Sequence, residues 1–318
     1  MESKKAASRG FKKMTKEIRL LTGMQVSPEE IKRLTGRQDQ RKKHARVVFW
    51  IGCNLPRTSH LVLALEDILE RLDVDCEVLG GQDNCCGIVH FREGDNDTGN
   101  RVVRNTVRHM ERLSPKMVLA WCPTCHLQFN EILLGFLQTD FVFQHVSEFL
   151  ANRLALLNSK WQKRIEKKVA IHEHKGVGGV TEHIRKLVAA IPGITIVEVP
   201  QLSTYGYMCS RLAAVQRARE DAHRRMIEMA MKARVDVLVT PYHSCQRDFC
   251  VEERNHPFEV KNFVTLLGEA LGIQYQDQYK KFRILGDEKQ IMNEAEPYIR
   301  QNKLKEDEVR RVIKKQLI

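Results

Sequence analysis

Five cysteines in the first half of the chain limit what this region can fold into and what it can bind. Long intervals of 31 and 35 residues separate a single cysteine, an adjacent pair and a third group of two: Cys53, Cys85, Cys86, Cys122 and Cys125. Thiolates are soft ligands that suit iron–sulfur clusters and zinc. The whole chain has 9 cysteines in 318 residues. In a reducing compartment, this content favours metal ligation or redox chemistry over structural disulfides.

Each cysteine group follows a segment whose apolar pattern predicts a buried strand. The predicted strands are 47–51, 76–79 and 117–120. Apolar residues spaced as on one helical face predict intervening helices at about 61–72 and 98–113, with others at about 124–137 and 146–155. Strands joined by crossover helices pair in parallel, and ligands bind where the carboxyl ends of such strands meet. We therefore expect the cysteines to converge at one sheet edge.

Residues 166–272 repeat this plan, with predicted strands at 168–171, 196–199 and 235–240. The sequence predicts an α/β fold of two repeated modules with small, mainly parallel sheets and helical N- and C-terminal extensions. Four segments follow from this division: a basic extension (1–46), a module with all five cysteines (47–157), a degenerate module (166–272) and a charged C-terminal extension (273–318).

The N-terminal extension carries 14 Lys or Arg against 5 Asp or Glu, within a chain of net charge +12. We interpret it as a solvated or partner-docking arm, and the overall charge favours acidic partners. Ser27-Pro28-Glu29-Glu30 predicts a short helix ending at Gly36, and another helix is expected from Glu306 to the C-terminus.

The sequence also bears on the partners and the cellular location of the protein. It contains no zinc-finger, RRM or helix-turn-helix pattern, so no nucleic-acid partner is expected. No apolar run approaches the roughly 20 residues needed to span a membrane, and no apolar segment follows the basic N-terminus as in a secretory signal. We expect a cytoplasmic protein without a membrane span.

Three explanations for the five cysteines remain open on the residues alone. Zinc takes four ligands, commonly from two C-x₂-C pairs, and only Cys122-x₂-Cys125 has that spacing. An ordinary cubane cluster takes four cysteines, so a fifth suggests an unusual cluster with a bridging thiolate. Some of the cysteines can also be buried thiols without a ligand role.

The pattern Cys53-x₃₁-Cys85-Cys86-Gly87-x₃₄-Cys122-x₂-Cys125 resembles the cysteine-rich CCG domain. That domain is found in the B subunit of heterodisulfide reductase and in related subunits of lactate, glycolate, glycerol-3-phosphate and succinate oxidoreductases. The resemblance implies one noncubane [4Fe-4S] cluster bound by these five cysteines. The chain lacks a ferredoxin-type cysteine run and a flavin fingerprint, so it is more similar to a stand-alone B subunit of heterodisulfide reductase.

The second module departs from this pattern. Cys209 matches Cys86 and Cys245 matches Cys125, whereas Tyr242 replaces Cys122. Met208 stands at the position of Cys85, and the first ligand position falls near Lys175.

Three readings of this module stay open: a packing module without a ligand, a replacement metal site for zinc, and a working thiol at Cys209 or Cys245. The second reading draws on the residues Cys209, Cys245, His172, His174, His243 and Cys250.

These observations predict an oxidoreductase subunit acting on sulfur groups. The alternatives are a non-catalytic electron-transfer subunit of a dehydrogenase complex and a zinc-bound scaffold. The resemblance implies flavin- and ferredoxin-like partner subunits. In relatives of the sulfur-oxidation type, it also implies an acidic lipoyl-carrying protein. Because only one cysteine set is complete, we expect the site to handle a single sulfur atom or to relay electrons.

Overall fold

The computed structural model describes residues 2–36, 44–133, 137–173, 177–200 and 215–318. Its strands are β1 Val47–Gly52, β2 Cys76–Gly80, β3 Met117–Ala120, β4 Val142–His145, β5 Lys167–Ile171, β6 Ile194–Ile196, β7 Val237–Thr240 and β8 Glu259–Asn262. Its helices are α1 Glu2–Gly23, α2 Pro28–Thr35, α3 Ser59–Arg71, α4 Ile88–Arg92, α5 Asn96–Glu111, α6 Pro123–Leu127, α7 Val146–Ala151, α8 Leu154–Asn158, α9 Val180–Ala189, α10 Gln216–Ala233, α11 His243–Phe249, α12 Phe263–Ala270, α13 Gln278–Leu285, α14 Glu288–Gln301 and α15 Glu306–Gln316.

The chain folds into two compact units. The first comprises Met1–Gln144 and Asp277–Ile318, and the second comprises His145–Gln276. Each is built around one four-stranded sheet, with strand orders β2-β1-β3-β4 and β6-β5-β7-β8. Because β1 pairs in parallel with β2 and β3, and β5 does so with β6 and β7, the predicted α/β fold of two repeated modules is confirmed.

The central strand of the first sheet is buried along its whole length. This is the pattern of a parallel strand covered by helices on both faces, and it explains the run Val-Val-Phe-Trp-Ile in β1. β5 begins with two lysines and is buried only over Val169–Ile171. The second sheet therefore has the same order with a shorter apolar centre.

One predicted strand of the second module is misplaced. The sequence predicts 196–199, but β6 lies at Ile194–Ile196. Val197 makes a last bond from its N–H to the carbonyl of Val169, and Pro200 ends the segment. Proline lacks an N–H donor and restricts the residue before it, so this stretch cannot extend the ladder.

Two predicted helices are interrupted. The helix expected over about 124–137 is α-helical only as far as Leu127 and continues as a π-helix over Gln128–Leu133. The helix expected over 146–155 divides into α7 and α8. At that break, the Arg153 guanidinium donates to the carbonyl of Phe149 and lies 3.5 Å from the centre of its ring. It thus satisfies a C-terminal carbonyl of α7.

The helix predicted after Ser27 is confirmed in detail. The Ser27 hydroxyl accepts from the backbone N–H of Glu30, and the Glu30 carboxylate accepts from the N–H of Ser27. Gly36 ends α2 in the left-handed conformation, with φ of 60°. The predicted C-terminal helix is also confirmed as α15.

The interpretation of the N-terminal extension as a solvated arm is wrong for its first helix. The inner face of α1 is buried through Ile18, Leu20 and Leu21, and α1 packs against α4 and α15. The Lys315 ammonium also pairs with Glu17 on α1. The many lysines of this helix suggested a solvated segment. Lysine alkyl chains can nevertheless lie along apolar surface while their charges stay in water. Within the described ranges, no helix is long and apolar enough to cross a membrane.

Candidate functional site

The structure brings the five cysteines of the first unit to the carboxyl edge of its sheet. Cys53 follows β1, and Cys85 and Cys86 follow β2 after a short 3-10 turn. Cys122 caps the N-terminus of α6 directly after β3, and Cys125 lies one turn into that helix. Three neighbouring strand ends therefore supply all the thiols.

The thiols form a continuous series of contacts. The Sγ atoms of Cys53 and Cys85 lie 3.5 Å apart. The thiols of Cys86, Cys125 and Cys122 follow, each near enough to its neighbour in the series to shift the neighbour's pKa. Residues up to 72 positions apart in sequence are thus neighbours at one site.

Burial and charge differ along this series. Cys85, Cys86 and Cys125 are buried, whereas Cys53 and Cys122 are half-buried and form its accessible side. Hydrogen bonds from Cys53, from Cys86 and from the N–H of Gly87 lower the pKa of Cys85 well below its usual value. The hydrogen bond with Cys85, together with burial, raises the pKa of Cys53. Since the thiolate is the ligand form of cysteine, these hydrogen bonds favour the ligand form of Cys85.

Gly52 leaves room for the Cys125 thiol beside the end of β1. It has φ of +60°, and a Cβ at this position would lie 3.3 Å from the Sγ of Cys125. A side chain here would combine backbone strain with a contact against the thiol. The glycine before Cys53 therefore belongs to the geometry of the site.

A polar network fixes the loop that carries Cys85 and Cys86. The indole Nε1 of Trp50 donates to the carbonyl of Asn84 at 2.7 Å, and the Asn84 amide donates to the carbonyl of Gly80 at 2.6 Å. From α5, the Thr106 hydroxyl donates to the carbonyl of Cys85 at 2.8 Å, and Nδ1 of His109 lies 2.8 Å from Oδ1 of Asn84. The loop is thereby tied to both β1 and α5.

Sequence reasoning missed this supporting network and two buried histidines near the cysteines. Nδ1 of His90 lies 3.9 Å from an Asp95 carboxylate oxygen, and its charge contributes to lowering the pKa of Cys85. His126, next to Cys125, has Nε2 2.8 Å from the amide nitrogen of Asn130. Their nearness to the cysteines in sequence was the available signal.

The donor set fits an iron–sulfur cluster better than a single ion. Donors of one zinc ion surround a point at about 2.3 Å in a tetrahedron. A single zinc ion therefore takes four donors, whereas this site brings five thiols together. Five thiols in series suit a larger body that offers several metal atoms to sulfur ligands.

The second unit places different residues at the equivalent positions. β3 and β7 begin at Met117 and Val237, so equivalent residues here differ by 120 in number. Cys125 corresponds to Cys245, and Cys122 corresponds to Tyr242. The Tyr242 ring is fully buried and lies 5.5 Å from that of His145.

The other candidate residues of the second unit are packed among apolar side chains. His172 follows β5, where its N–H bonds to the carbonyl of Val239, and its ring lies 4.8 Å from that of Phe249. His243 and Cys250 are also buried. Cys209, Met208, His174 and Lys175 lie outside the described residues, so the predicted replacement site stays a prediction.

Comparison with known families agrees with the position of the thiols. Residues 47–130 match the family model described as Cysteine-rich domain (CCG). This stretch contains β1, β2, β3 and all five cysteines of the first unit. The CCG similarity predicted from the cysteine spacing is therefore confirmed for the first module.

Curated relatives match a larger part of the chain. The D subunit of dihydromethanophenazine:CoB–CoM heterodisulfide reductase from Methanosarcina acetivorans is 24% identical over 247 residues, which is 73% of this chain and 60% of the relative. The corresponding protein of Methanosarcina mazei is 26% identical over 245 residues, with 72% and 60% coverage. The chain thus spans about 60% of the length of these relatives. The similarity is to the D type of heterodisulfide reductase protein, and it lends no support to the narrower expectation of a sulfur-oxidation type.

Proposed function

We propose that this chain is an iron–sulfur subunit of a heterodisulfide reductase-like complex and carries out thiol–disulfide redox chemistry at its five-cysteine site. The observation that carries the proposal is the continuous series of five thiols at the carboxyl edge of the first sheet. The similarity to the D subunits of two heterodisulfide reductases supports the reaction class.

The ligands in this proposal are Cys53, Cys85, Cys86, Cys122 and Cys125. When bound, a noncubane [4Fe-4S] cluster would supply single electrons and an iron atom able to take up sulfur. Reduction of a disulfide to two thiols consumes two electrons and two protons. A protein limited to one cluster therefore receives its electrons one at a time from a partner.

The chain's own residues define how a disulfide reaches this site. The half-buried Cys53 and Cys122 mark the accessible side, and the three buried cysteines lie behind them. The loop carrying Cys85 is held by hydrogen bonds on both sides. Such rigid support fixes the positions of ligands and limits the reorganisation that accompanies electron transfer.

The proposal includes a one-sided reaction. In the second unit, Tyr242 fills the position of Cys122 with a buried ring, and Cys209 and Cys245 are the cysteines left from the motif. The five cysteines would hold one cluster, which would offer a binding position to one sulfur of the disulfide. The other sulfur would leave as a thiol after gaining an electron and a proton. The second unit serves as a packing module in this scheme.

The proposed partners are flavin- and ferredoxin-like subunits that deliver electrons. A purely electron-transferring subunit would share the cluster but turn over no disulfide. A zinc-bound scaffold would carry neither iron nor an EPR signal. The narrower proposal of an acidic lipoyl-carrying protein as sulfur donor depends on the sulfur-oxidation type.

The test uses the full chain purified without oxygen. We expect an EPR signal after oxidation. With an excess of a one-electron donor, we also expect two thiols to form for each lipoamide disulfide consumed. Cys245→Ser serves as a matched control in the second unit and should leave the signal intact. A colourless zinc protein would refute the proposal, whereas an EPR-active protein without thiol formation would favour the electron-transfer alternative.

A further inference from the structure

Three arginines form an exposed stripe on the outer face of α5. Arg101, Arg104 and Arg108 are spaced three and four residues apart, so their side chains lie on one helical face. They line a surface cavity of about 780 Å³ together with Asp97, Asn100, Val102 and Asn105. We call this set of three arginines the α5 stripe.

The three guanidinium groups of the α5 stripe belong to exposed residues. Among the described residues, no ion pair involves any of its three members, whereas Arg33 pairs with two carboxylates at 2.5 and 2.9 Å. Arginines of like charge at these spacings destabilise a helix. The exposed positive charge of the stripe is therefore available to an acidic partner.

The second unit provides an internal comparison for the same face. With the numbering offset of 120, the equivalents of the three arginines are Asp221, Arg224 and Glu228 on α10. Arg224 pairs with Asp221 and lies 2.6 Å from a carboxylate oxygen of Glu228. The offset holds locally, because Ser114 and Arg234 have matching positive φ angles of 47° and 49°. The equivalent face of α10 thus neutralises its own charge, and that of α5 does not.

The opposite face of α5 forms part of the wall behind the five-cysteine site. Val103, Val107 and Met110 pack in the same apolar cluster as Cys86 and Cys125. Thr106, between them, bonds to the carbonyl of Cys85. An α-helix with its side chains is about 10 Å across, so a protein bound to the stripe lies about one helix width from the thiols.

We propose that the α5 stripe is the docking surface for an acidic redox protein that exchanges single electrons with the five-cysteine site. The docking rests on the charge and placement of the stripe, while the electron exchange also rests on the proposed function. One electron leaves the carrier, which is oxidised, and the five-cysteine site is reduced by that same electron. The stripe supplies the steering charge that accelerates association with an acidic protein.

An acidic protein fits this surface better than a nucleic acid. Proteins that depend on phosphate contacts to hold duplex DNA commonly make about 6–10 of them, and the stripe offers three arginines. The residues lining the cavity include no aromatic side chain on which a single-stranded base could stack.

The test transfers the charge pattern of α10 to α5. The double variant Arg101→Asp/Arg108→Glu keeps Arg104 between two carboxylates, an arrangement that stabilises a helix. The double variant Lys186→Asp/Lys232→Glu is the control, since it makes the same change in net charge at exposed positions of the second unit. The probe is plant-type ferredoxin, a small acidic one-electron carrier. Binding is measured by calorimetry at low and high salt, and electron transfer by stopped-flow absorbance.

We expect ferredoxin to bind the wild-type chain at low salt and to bind the α5 variant about tenfold or more weakly. The control variant should stay within about twofold of wild type. Equal weakening in both variants, or unchanged binding in the α5 variant, would overturn the proposal. Binding of a DNA duplex but not of ferredoxin would overturn it in favour of a nucleic-acid surface.

The same experiment separates failure of the docking surface from failure of the proposed function. Calorimetric binding needs no cluster, and it can be repeated with Cys85→Ser. The wild-type protein could bind ferredoxin through the stripe and yet not be reduced by dithionite. That result would refute the redox function alone. The protein could also be reduced by dithionite while ferredoxin neither binds nor reduces it. That result would refute the docking surface alone.

Discussion

The two units share a strand order and differ in what stands at the ends of their strands. In the first unit, the ends of β1, β2 and β3 carry five thiols in mutual contact. In the second unit, the end of β7 carries the fully buried Tyr242, and His172 packs against Phe249 after β5. The same scaffold thus gathers thiols at the strand ends of one unit and buried aromatic side chains in the other.

The supporting residues differ in the same way. Thr106 of α5 bonds to the Cys85 carbonyl, whereas its equivalent on α10 is the buried Met226. Trp50 bonds to Asn84, whereas its equivalent in the register of the second sheet is His172. The first unit thus ties its cysteine loop through Trp50 and Thr106. The second unit instead has a buried polar network among Thr240, Gln246 and Asn262.

The largest effect is expected when a ligand is removed from the first unit. Cys85→Ser takes away a buried thiol that is proposed as a ligand, and it should lower the iron content from about four atoms per chain to below about one. Cys245→Ser, at the position equivalent to Cys125, should leave iron unchanged. Metal analysis of both variants tests this, and iron loss in the Cys245 variant would show that the second unit also holds metal.

A second effect should appear when a cysteine is restored to the second unit. Tyr242→Cys removes a fully buried ring and should destabilise the protein by about 2–4 kcal/mol, because a cavity replaces packed atoms. It should add no iron, since Tyr242 is one of several missing ligands. Thermal unfolding and metal analysis measure both results. A gain of iron in this variant would show that the second unit lacks only one ligand.

A smaller effect is expected from the tether on α5. Thr106→Val removes the hydroxyl donor to the buried Cys85 carbonyl and should lower the free energy of unfolding by about 1–3 kcal/mol. Thr106→Ser keeps the hydroxyl and is the control. The valine variant should also broaden the EPR signal, because the loop carrying two ligands is less firmly held. An unchanged spectrum and an unchanged stability would show that the hydrogen bond from Thr106 does not hold the loop that carries Cys85.

The smallest effect concerns a buried histidine in the first unit. Burial lowers the pKa of His60 from its usual value, although the Asp277 carboxylate 3.3 Å away acts in the opposite direction. The folded state therefore binds a proton less readily than the unfolded chain. Stability from this residue is complete above a pH of about 6.5 and is lost as the pH falls toward the lower folded pKa.

His60→Gln should remove that part of the pH dependence. Urea unfolding of both proteins between about pH 5 and 7.5 would measure it, with a difference on the order of 1 kcal/mol at the acidic end. A stability difference that does not change with pH would show that His60 binds its proton equally well in the folded and unfolded states.

The local patterns in the sequence predicted most of the fold. The strands β1 and β3 follow apolar runs, and the helix α2 follows the Ser27 capping box, because each depends on neighbouring residues. The spacing of the five cysteines predicted their convergence, since parallel strand ends share an edge. The break at Arg153 and the π-helix after Leu127 arise from contacts that no local pattern encodes.

The residues that support the cysteine loop could not be predicted from the sequence for the same reason. Thr106 and His109 reach Cys85 and Asn84 across 21 and 25 residues, and both helix positions look ordinary in the sequence. The charge of α5 was visible in the letters. That no ion pair among the described residues involves the stripe became apparent only by comparison with the paired charges of α10.

The central claim is that one complete cluster site exists in the chain and that it lies in the first unit. Iron, acid-labile sulfide and zinc can be quantified together on the anaerobically purified full chain. We expect about four iron atoms and four sulfide ions per chain and no stoichiometric zinc. About eight irons per chain, or one zinc without iron, would contradict it.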